Sequence, residues 1–337
     1  MKKRPLWLLT FGICFVFLFM SANTKAATPV QKWGQLKVSG TNIVNKAGKK
    51  VQLKGVSTHG IAWFPQYVNK SCFQSFKKMG VNTIRLALYS DKGAGYSKSL
   101  YQKVDEGIRY ATELGMYVVL DWHILSDGNP KTSQKRAFQF FTRYAKKYGK
   151  QNNILYEICN EPNGNVTWAK DIKPYAKKAI KKIRKYDKKN IIIVGTPTWS
   201  QDVDVVAKSP LKEKNIVYSL HFYAATHTDF LRNKCKSAYQ SGLPMLVSEF
   251  SICDASGNGG IDKKSASKWM KLLKKYKIGH IAWNISNKNE TSALIQSKCG
   301  KTDKISYKNL SKSGKWIAKC TLSDKLFFMS FKTIRQK

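Results

Sequence analysis

A chain of 337 residues with a formal charge of +40 is long enough for one large α/β domain or two ordinary ones. Lysines supply that charge, 52 against 8 arginines, and they spread over nearly every predicted helix. A dedicated nucleic-acid surface clusters charge on one element and uses arginine for bidentate contacts, so no specific nucleic-acid partner is expected, only incidental adhesion to polyanions.

The N-terminus runs from Lys2-Lys3-Arg4 through an apolar stretch, Leu6 to Met20, to the small residues Ser21, Ala22, Ala26 and Ala27. That order predicts a secretory signal over residues 1–26 with cleavage near Ala26, and the apolar stretch falls short of the ~20 residues that span a bilayer. The mature chain is expected to be secreted, off the membrane and monomeric. No cysteine follows the small residues, so a lipid anchor has no support. Export permits disulfides. The six remaining cysteines, Cys72, Cys159, Cys235, Cys253, Cys299 and Cys320, match no zinc spacing and leave the pairing open. Mostly free, buried thiols are expected.

Next, Leu36–Val44 and Lys49–Leu53 flank Asn45-Lys46-Ala47-Gly48, which predicts a small hairpin at the bottom of a barrel. Eight short apolar runs follow: Val51–Val56, Val81–Leu88, Met116–Trp122, Asn153–Cys159, Asn190–Gly195, Asn215–His221, Pro244–Glu249 and His280–Asn284. Continuous runs such as Tyr117-Val118-Val119-Leu120 suit parallel strands covered on both faces, and Ala137–Tyr148 and Ser265–Tyr276 between them carry helical periodicity. Starts 25 to 37 residues apart predict eight β/α units, a (β/α)8 TIM barrel; a doubly wound sheet seldom repeats so evenly. The barrel domain is placed at 27–322, with a tail at 323–337 that has no assigned role. No Pro/Ser/Thr-rich linker announces a second module.

The strand ends then supply His59 and Trp63, Arg85 and Tyr89, Asp121 and His123, Asn160 and Glu161, Trp199, His221 and Tyr223, Glu249, and Trp283. Barrel active sites assemble at this face. The chain has only seven glutamates, and two of them, Glu161 and Glu249, stand at such ends. A pair of carboxylates on a rigid scaffold is what glycosidic-bond hydrolysis needs, one donating a proton and one acting as nucleophile or base. No cofactor is expected, and His123, His221 and Glu249 have no metal-ligand spacing.

In register, Gly55-Val56-Ser57-Thr58-His59-Gly60, Asn82-Thr83-Ile84-Arg85, Asp121-Trp122-His123, Tyr156 to Gly164, Gly195 to Trp199, His221-Phe222-Tyr223 and Ser248-Glu249-Phe250 resemble glycoside hydrolase family 5, most closely its bacterial endo-β-1,4-glucanase branch. The resemblance covers Trp33 to about Leu322 and implies a retaining hydrolase of β-glucan. It makes Glu161 the acid/base and Glu249 the nucleophile, with Arg85 holding Glu249 ionised and Tyr223 orienting it. It also implies that Asn160 bonds the sugar 2-hydroxyl, that His123 and His221 shape the cleavage subsite over a Trp283 floor, and that His59 is among the substrate-binding residues. Trp63, Tyr89 and Trp199 become stacking platforms further along, and Lys288 and Glu290 bond sugars on the non-reducing side. Phe250, the Ser251–Gly260 loop and Asn284 depart from the family pattern. A same-fold hydrolase of mannan, xyloglucan or mixed-linkage glucan is the alternative; a non-catalytic glycan- or polyanion-binding barrel is disfavoured by the intact glutamates.

Other residues have structural readings. Glu157 and Asp121 are expected as buried hydrogen-bonding partners, and Trp122 as core. His280 is expected at the barrel bottom. Trp33, Trp168, Trp269 and Trp316 fit packing, and His227 reaches at most the rim.

Overall fold

The computed structural model describes residues 26–319; residues 1–25 of the expected signal, Cys320 and the C-terminal tail lie outside the described residues. Strands β1 (Lys37–Ser39) and β2 (Asn42–Val44) pair antiparallel. Eight more strands follow, β3 (Lys54–Thr58), β4 (Thr83–Tyr89), β5 (Tyr117–His123), β6 (Ile154–Glu157), β7 (Ile192–Val194), β8 (Ile216–Tyr223), β9 (Met245–Ser251) and β10 (His280–Ile285). They are parallel neighbours in chain order, and β10 closes on β3. This is the expected TIM barrel.

Alternation along the strands builds two apolar layers. Ile84, Leu86, Val118, Leu120 and Trp122 face the surrounding helices, while Tyr117, Val119, Leu155, Ile193, Val217, Leu246 and Ile281 fill the barrel's lower interior. Leu36, Ile43, Val51 and Leu53 pack on that interior set, so the N-terminal segment does plug the bottom. Its geometry adds a turn to the expected hairpin. The first arm is itself a hairpin, turning at Gly40-Thr41 with Gly40 at φ 54, where a Cβ is disfavoured. The second arm joins through the Val44–Lys50 bridge and through bonds from Val51 N–H to the Ile43 carbonyl and from Asn45 N–H to the Lys49 carbonyl.

Helices leave their lysines in solvent. In Lys173–Arg184, Tyr175, Ala176, Ala179, Ile180 and Ile183 are buried, while Lys177, Lys178, Lys181 and Lys182 are exposed. Trp122 and Trp269 are wholly buried, and Trp269 stacks on Phe222 at 4.0 Å. Trp33 lies against Tyr117 below the barrel, Trp168 bonds the Ser209 carbonyl, and Trp316 is half-buried. His280 begins β10 and packs edge-on to Phe250. Cys72, Cys159, Cys235 and Cys253 are free and buried, and Cys299 is free and half-buried.

Candidate active site

Two irregularities aim the catalytic side chains. Against β8, Ser219 pairs with Leu246 but His221 pairs with Glu249; against β10, His280 pairs with Val247 but Ala282 with Phe250. Both ladders therefore place one extra residue in β9. This bulge breaks the alternation, so Ser248 and Glu249 both face the barrel interior while Phe250 returns to the outer layer against Phe222. Phe250, a departure from the family pattern, thus lies away from the cleft.

The second concerns Glu161. Strand β6 ends at Glu157, four residues earlier than Glu161. Bonds from Asn160 N–H to the Trp122 carbonyl and from Glu161 N–H to the Ile124 carbonyl carry the chain on beside β5. Gly195 makes this possible, because a Cβ there would run into the Cys159 carbonyl and the Pro162 ring.

Arg85 is the centre of the polar core and is wholly buried. Its guanidinium donates from Nε to Glu157 Oε2 at 2.7 Å, from Nη1 to Glu249 Oε2 at 3.1 Å, and from Nη2 to Asn160 Oδ1 at 2.6 Å. Nη2 also lies 3.0 Å from Asp121 Oδ2. Burial alone lowers the Arg85 pKa, but the three carboxylates outweigh it and raise it. Glu157 shows the reverse balance: burial disfavours its charge, yet Arg85 and His221 keep its pKa depressed. Tyr223 Oη donates to Glu249 Oε1 at 2.7 Å, so each nucleophile-candidate oxygen has its own donor.

Glu161 Oε1 accepts from His221 Nδ1 at 2.9 Å, and Oε2 has no protein partner among the described residues. His221 Nε2 lies 2.9 Å from Ser248 Oγ, which donates to Glu157 Oε1 at 2.6 Å. One buried chain of hydrogen bonds thus runs Glu161–His221–Ser248–Glu157–Arg85–Glu249. Oxygens of Glu161 and Glu249 and a His221 nitrogen lie within 4.8 Å of one another, close enough to share a cation; here they bond each other, Arg85, Tyr223 and Ser248.

Burial alone lowers the His221 pKa, but the nearby Glu157 carboxylate, the bond to Glu161 and the charge of Glu249 raise it from 6.5 to about 9. A raised pKa contributes stability that is complete below pH 6.5 and lost as pH rises through about 9. Unfolding free energy is expected to fall across that window by up to roughly 3 kcal/mol. Denaturant melts of wild type and His221→Gln check this. Parallel slopes in the two would show that His221 does not hold the linked proton.

The expected binding residues line a cleft of about 540 Å³, with the exceptions of Asn160 and the buried Arg85. Asn160 Oδ1 is taken by Arg85; Nδ2 donates to the Ile124 carbonyl at 3.1 Å and faces His123 Nε2 at 3.2 Å. Asp121 Oδ2 lies 2.7 Å from His123 Nδ1, placing that ring's proton there, and burial with the nearby Arg85 lowers the His123 pKa to about 3. His123 stacks beneath Trp283 at 5.1 Å. His59 Nδ1 accepts from Gly60 N–H, and its ring contacts Trp63 and Trp283. Trp63 and Trp199 are 47% and 45% exposed, as platforms must be. Tyr89 is only 8% exposed, packed against Trp63 at 5.0 Å and His123 at 4.2 Å; it supports those rings instead of standing as a platform further along.

The Trp199 turn passes through three left-handed residues, Thr198, Trp199 and Ser200 (φ 56, 53 and 59). Bonds from Trp199 N–H to the Pro162 carbonyl and from Ser200 Oγ to the Asn160 carbonyl hold it to the Glu161 segment. Such strain persists only where surroundings enforce it. Lys288 pairs with Glu290 at 2.6 Å, and Asn284 and Ser292 donate to Glu290 Oε1. The departing loop reaches the cleft through Ala255, Ser256 and Gly257. Gln201 and His227 also line it. Gln201 was given no role from sequence, although its place two residues after Trp199 was a signal.

The family model for cellulase (glycosyl hydrolase family 5) matches residues 44–289. An endoglucanase of Clostridium saccharobutylicum is 42% identical over 94% of this chain and 72% of its own length. Endoglucanase N of Pectobacterium atrosepticum is 42% identical over 92% of this chain and 70% of its length. Among solved structures, the catalytic domain of Thermobifida fusca endoglucanase Cel5A in complex with cellotetraose superposes with a TM-score of 0.84 at 35% identity, covering 88% of this chain and 100% of that one. With the barrel, the facing glutamates and these similarities in agreement, the chain belongs to the cellulases of glycosyl hydrolase family 5.

Proposed function

We propose that this protein is a retaining endo-β-1,4-glucanase that cleaves internal bonds of cellulose and related β-glucans. The observation that carries the reading is the pair Glu161 and Glu249, with carboxylate oxygens within 4.8 Å across the barrel mouth. Retaining pairs stand ~5–5.5 Å apart, whereas inverting pairs leave ~6.5–9.5 Å for a water.

Glu249, oriented by Arg85 and Tyr223, attacks the anomeric carbon while Glu161 Oε2 gives its proton to the departing glycosidic oxygen. The glycosyl ester on Glu249 is then opened by a water that Glu161 deprotonates, which releases the sugar with its original anomeric configuration. His123, His59 and Trp283 form the wall and floor of the cleavage subsite. Asn160 reaches a sugar 2-hydroxyl if that hydroxyl replaces His123 Nε2 as the acceptor of its Nδ2. Lys288 and Glu290 act on the non-reducing side and Trp199 on the leaving-group side. Residues 27–322 form the catalytic domain, which acts as a secreted monomer after loss of residues 1–26.

An open cleft with Trp63 and Trp199 at opposite sides admits the middle of a polymer. Viscosity of carboxymethyl-cellulose is therefore expected to fall early relative to reducing ends released, with lichenan, xyloglucan and mannan run in parallel. Release of glucose or cellobiose from the first minutes with viscosity unchanged would rule out internal attack. Faster hydrolysis of mannan or xyloglucan would move the substrate within the family.

A further inference from the structure

Phe230 is 52% exposed on the first turn of the helix Asp229–Gln240. A single exposed apolar ring needs no explanation by itself. This one is set apart by what surrounds it. The helix follows β8, so its N-terminus lies at the barrel mouth, and helical side chains lean toward the N-terminus. Phe230 shares a helix face with Lys234 four residues on. Lys234 Nζ is fixed to Asp202 Oδ1 at 2.6 Å, and Asp202 Oδ2 accepts from Thr198 Oγ1 at 2.6 Å. The face that carries Phe230 is thereby tied to the turn that presents Trp199. On its other side the Phe230 ring meets His227 edge-on at 6.2 Å, and His227 lines the cleft. His227 is itself fixed, with Nδ1 accepting from Tyr223 N–H at 2.8 Å.

We infer that Phe230 is a further sugar platform on the leaving-group side, outside Trp199, that stacks on the CH face of a distal glucosyl unit of the β-glucan chain. The inference rests on the glucanase reading above. In barrel order the cleft runs from Trp283 on β10, Trp63 beyond β3 and Tyr89 on β4 to Trp199 and His227 beyond β7 and β8, with Glu161 and Glu249 also lining it. Phe230 stands against His227 at the β8 end of that cleft. Its binding energy is remote from the bond being broken, so it favours long chains and sets where they are cut.

The test compares wild type, Phe230→Ala and Phe230→Tyr on cellohexaose and on p-nitrophenyl cellobioside, whose aryl leaving group stops short of Phe230. In Phe230→Ala the ratio of kcat/KM for cellohexaose to that for the aryl cellobioside is expected to fall about tenfold, equivalent to ~1.4 kcal/mol. Cleavages that leave the longer fragment on the leaving-group side should decline with it. Phe230→Tyr, which keeps the ring, should restore both. An unchanged ratio, or equal losses on both substrates, overturns the platform. Wild-type protein that leaves both β-1,4 substrates intact instead overturns the glucanase reading and the platform with it.

Discussion

Glu249→Gln is expected to lower turnover of every glucan and aryl glycoside by on the order of 10⁴-fold or more, the scale of losing a catalytic group from a preorganised site. The amide keeps the shape of the side chain and can still offer an oxygen to Arg85 or Tyr223, so folding should survive. What it cannot do is form the glycosyl ester. The loss should be the same for good and poor leaving groups, since no substrate can supply the missing nucleophile. Steady-state rates on carboxymethyl-cellulose and on a series of aryl cellobiosides check this, with circular dichroism confirming the fold. Retention of more than about one-hundredth of wild-type activity on any of them would remove Glu249 from the nucleophile's place.

Glu161→Ala should behave differently. Polymer hydrolysis is expected to fall by about 10²–10⁴-fold, the usual contribution of a general acid. Aryl cellobiosides with acidic phenols need little protonation and should still form the glycosyl-enzyme. The second step, deprived of its base, becomes limiting, so azide should accelerate it and yield the glycosyl azide. The cavity left by the missing carboxylate gives the anion room beside His221 Nδ1, the donor that Glu161 Oε1 no longer occupies. Identical responses of the two variants to leaving-group acidity and azide would show that the roles are wrongly divided.

The barrel was legible because its strands are runs such as Tyr117–Leu120, apolar on both faces, and because each polar residue at the mouth follows one of them. Glu161 and Glu249 stood out for the same reason. What strict alternation hides is the β9 bulge: it assigns Ser248 and Glu249 to opposite faces, whereas both turn inward. The link from Glu157 through Ser248 to His221 was hidden with it, since a serine beside a glutamate carries no signal of such a link. Leu36–Val44 looked like one arm because its apolar residues continue past Gly40, and only the backbone there shows the turn. Tyr89 looked like a platform until the rings of Trp63 and His123, distant in sequence, were placed over it.

The central claim is that Glu161 and Glu249 act as a double-displacement pair. Proton NMR in the first minutes of cellotetraose hydrolysis tests it most directly, by following the anomeric signals of the newly formed reducing ends. The account predicts that the β-anomer accumulates first and mutarotates to the α-anomer later; initial release of the α-anomer would contradict it.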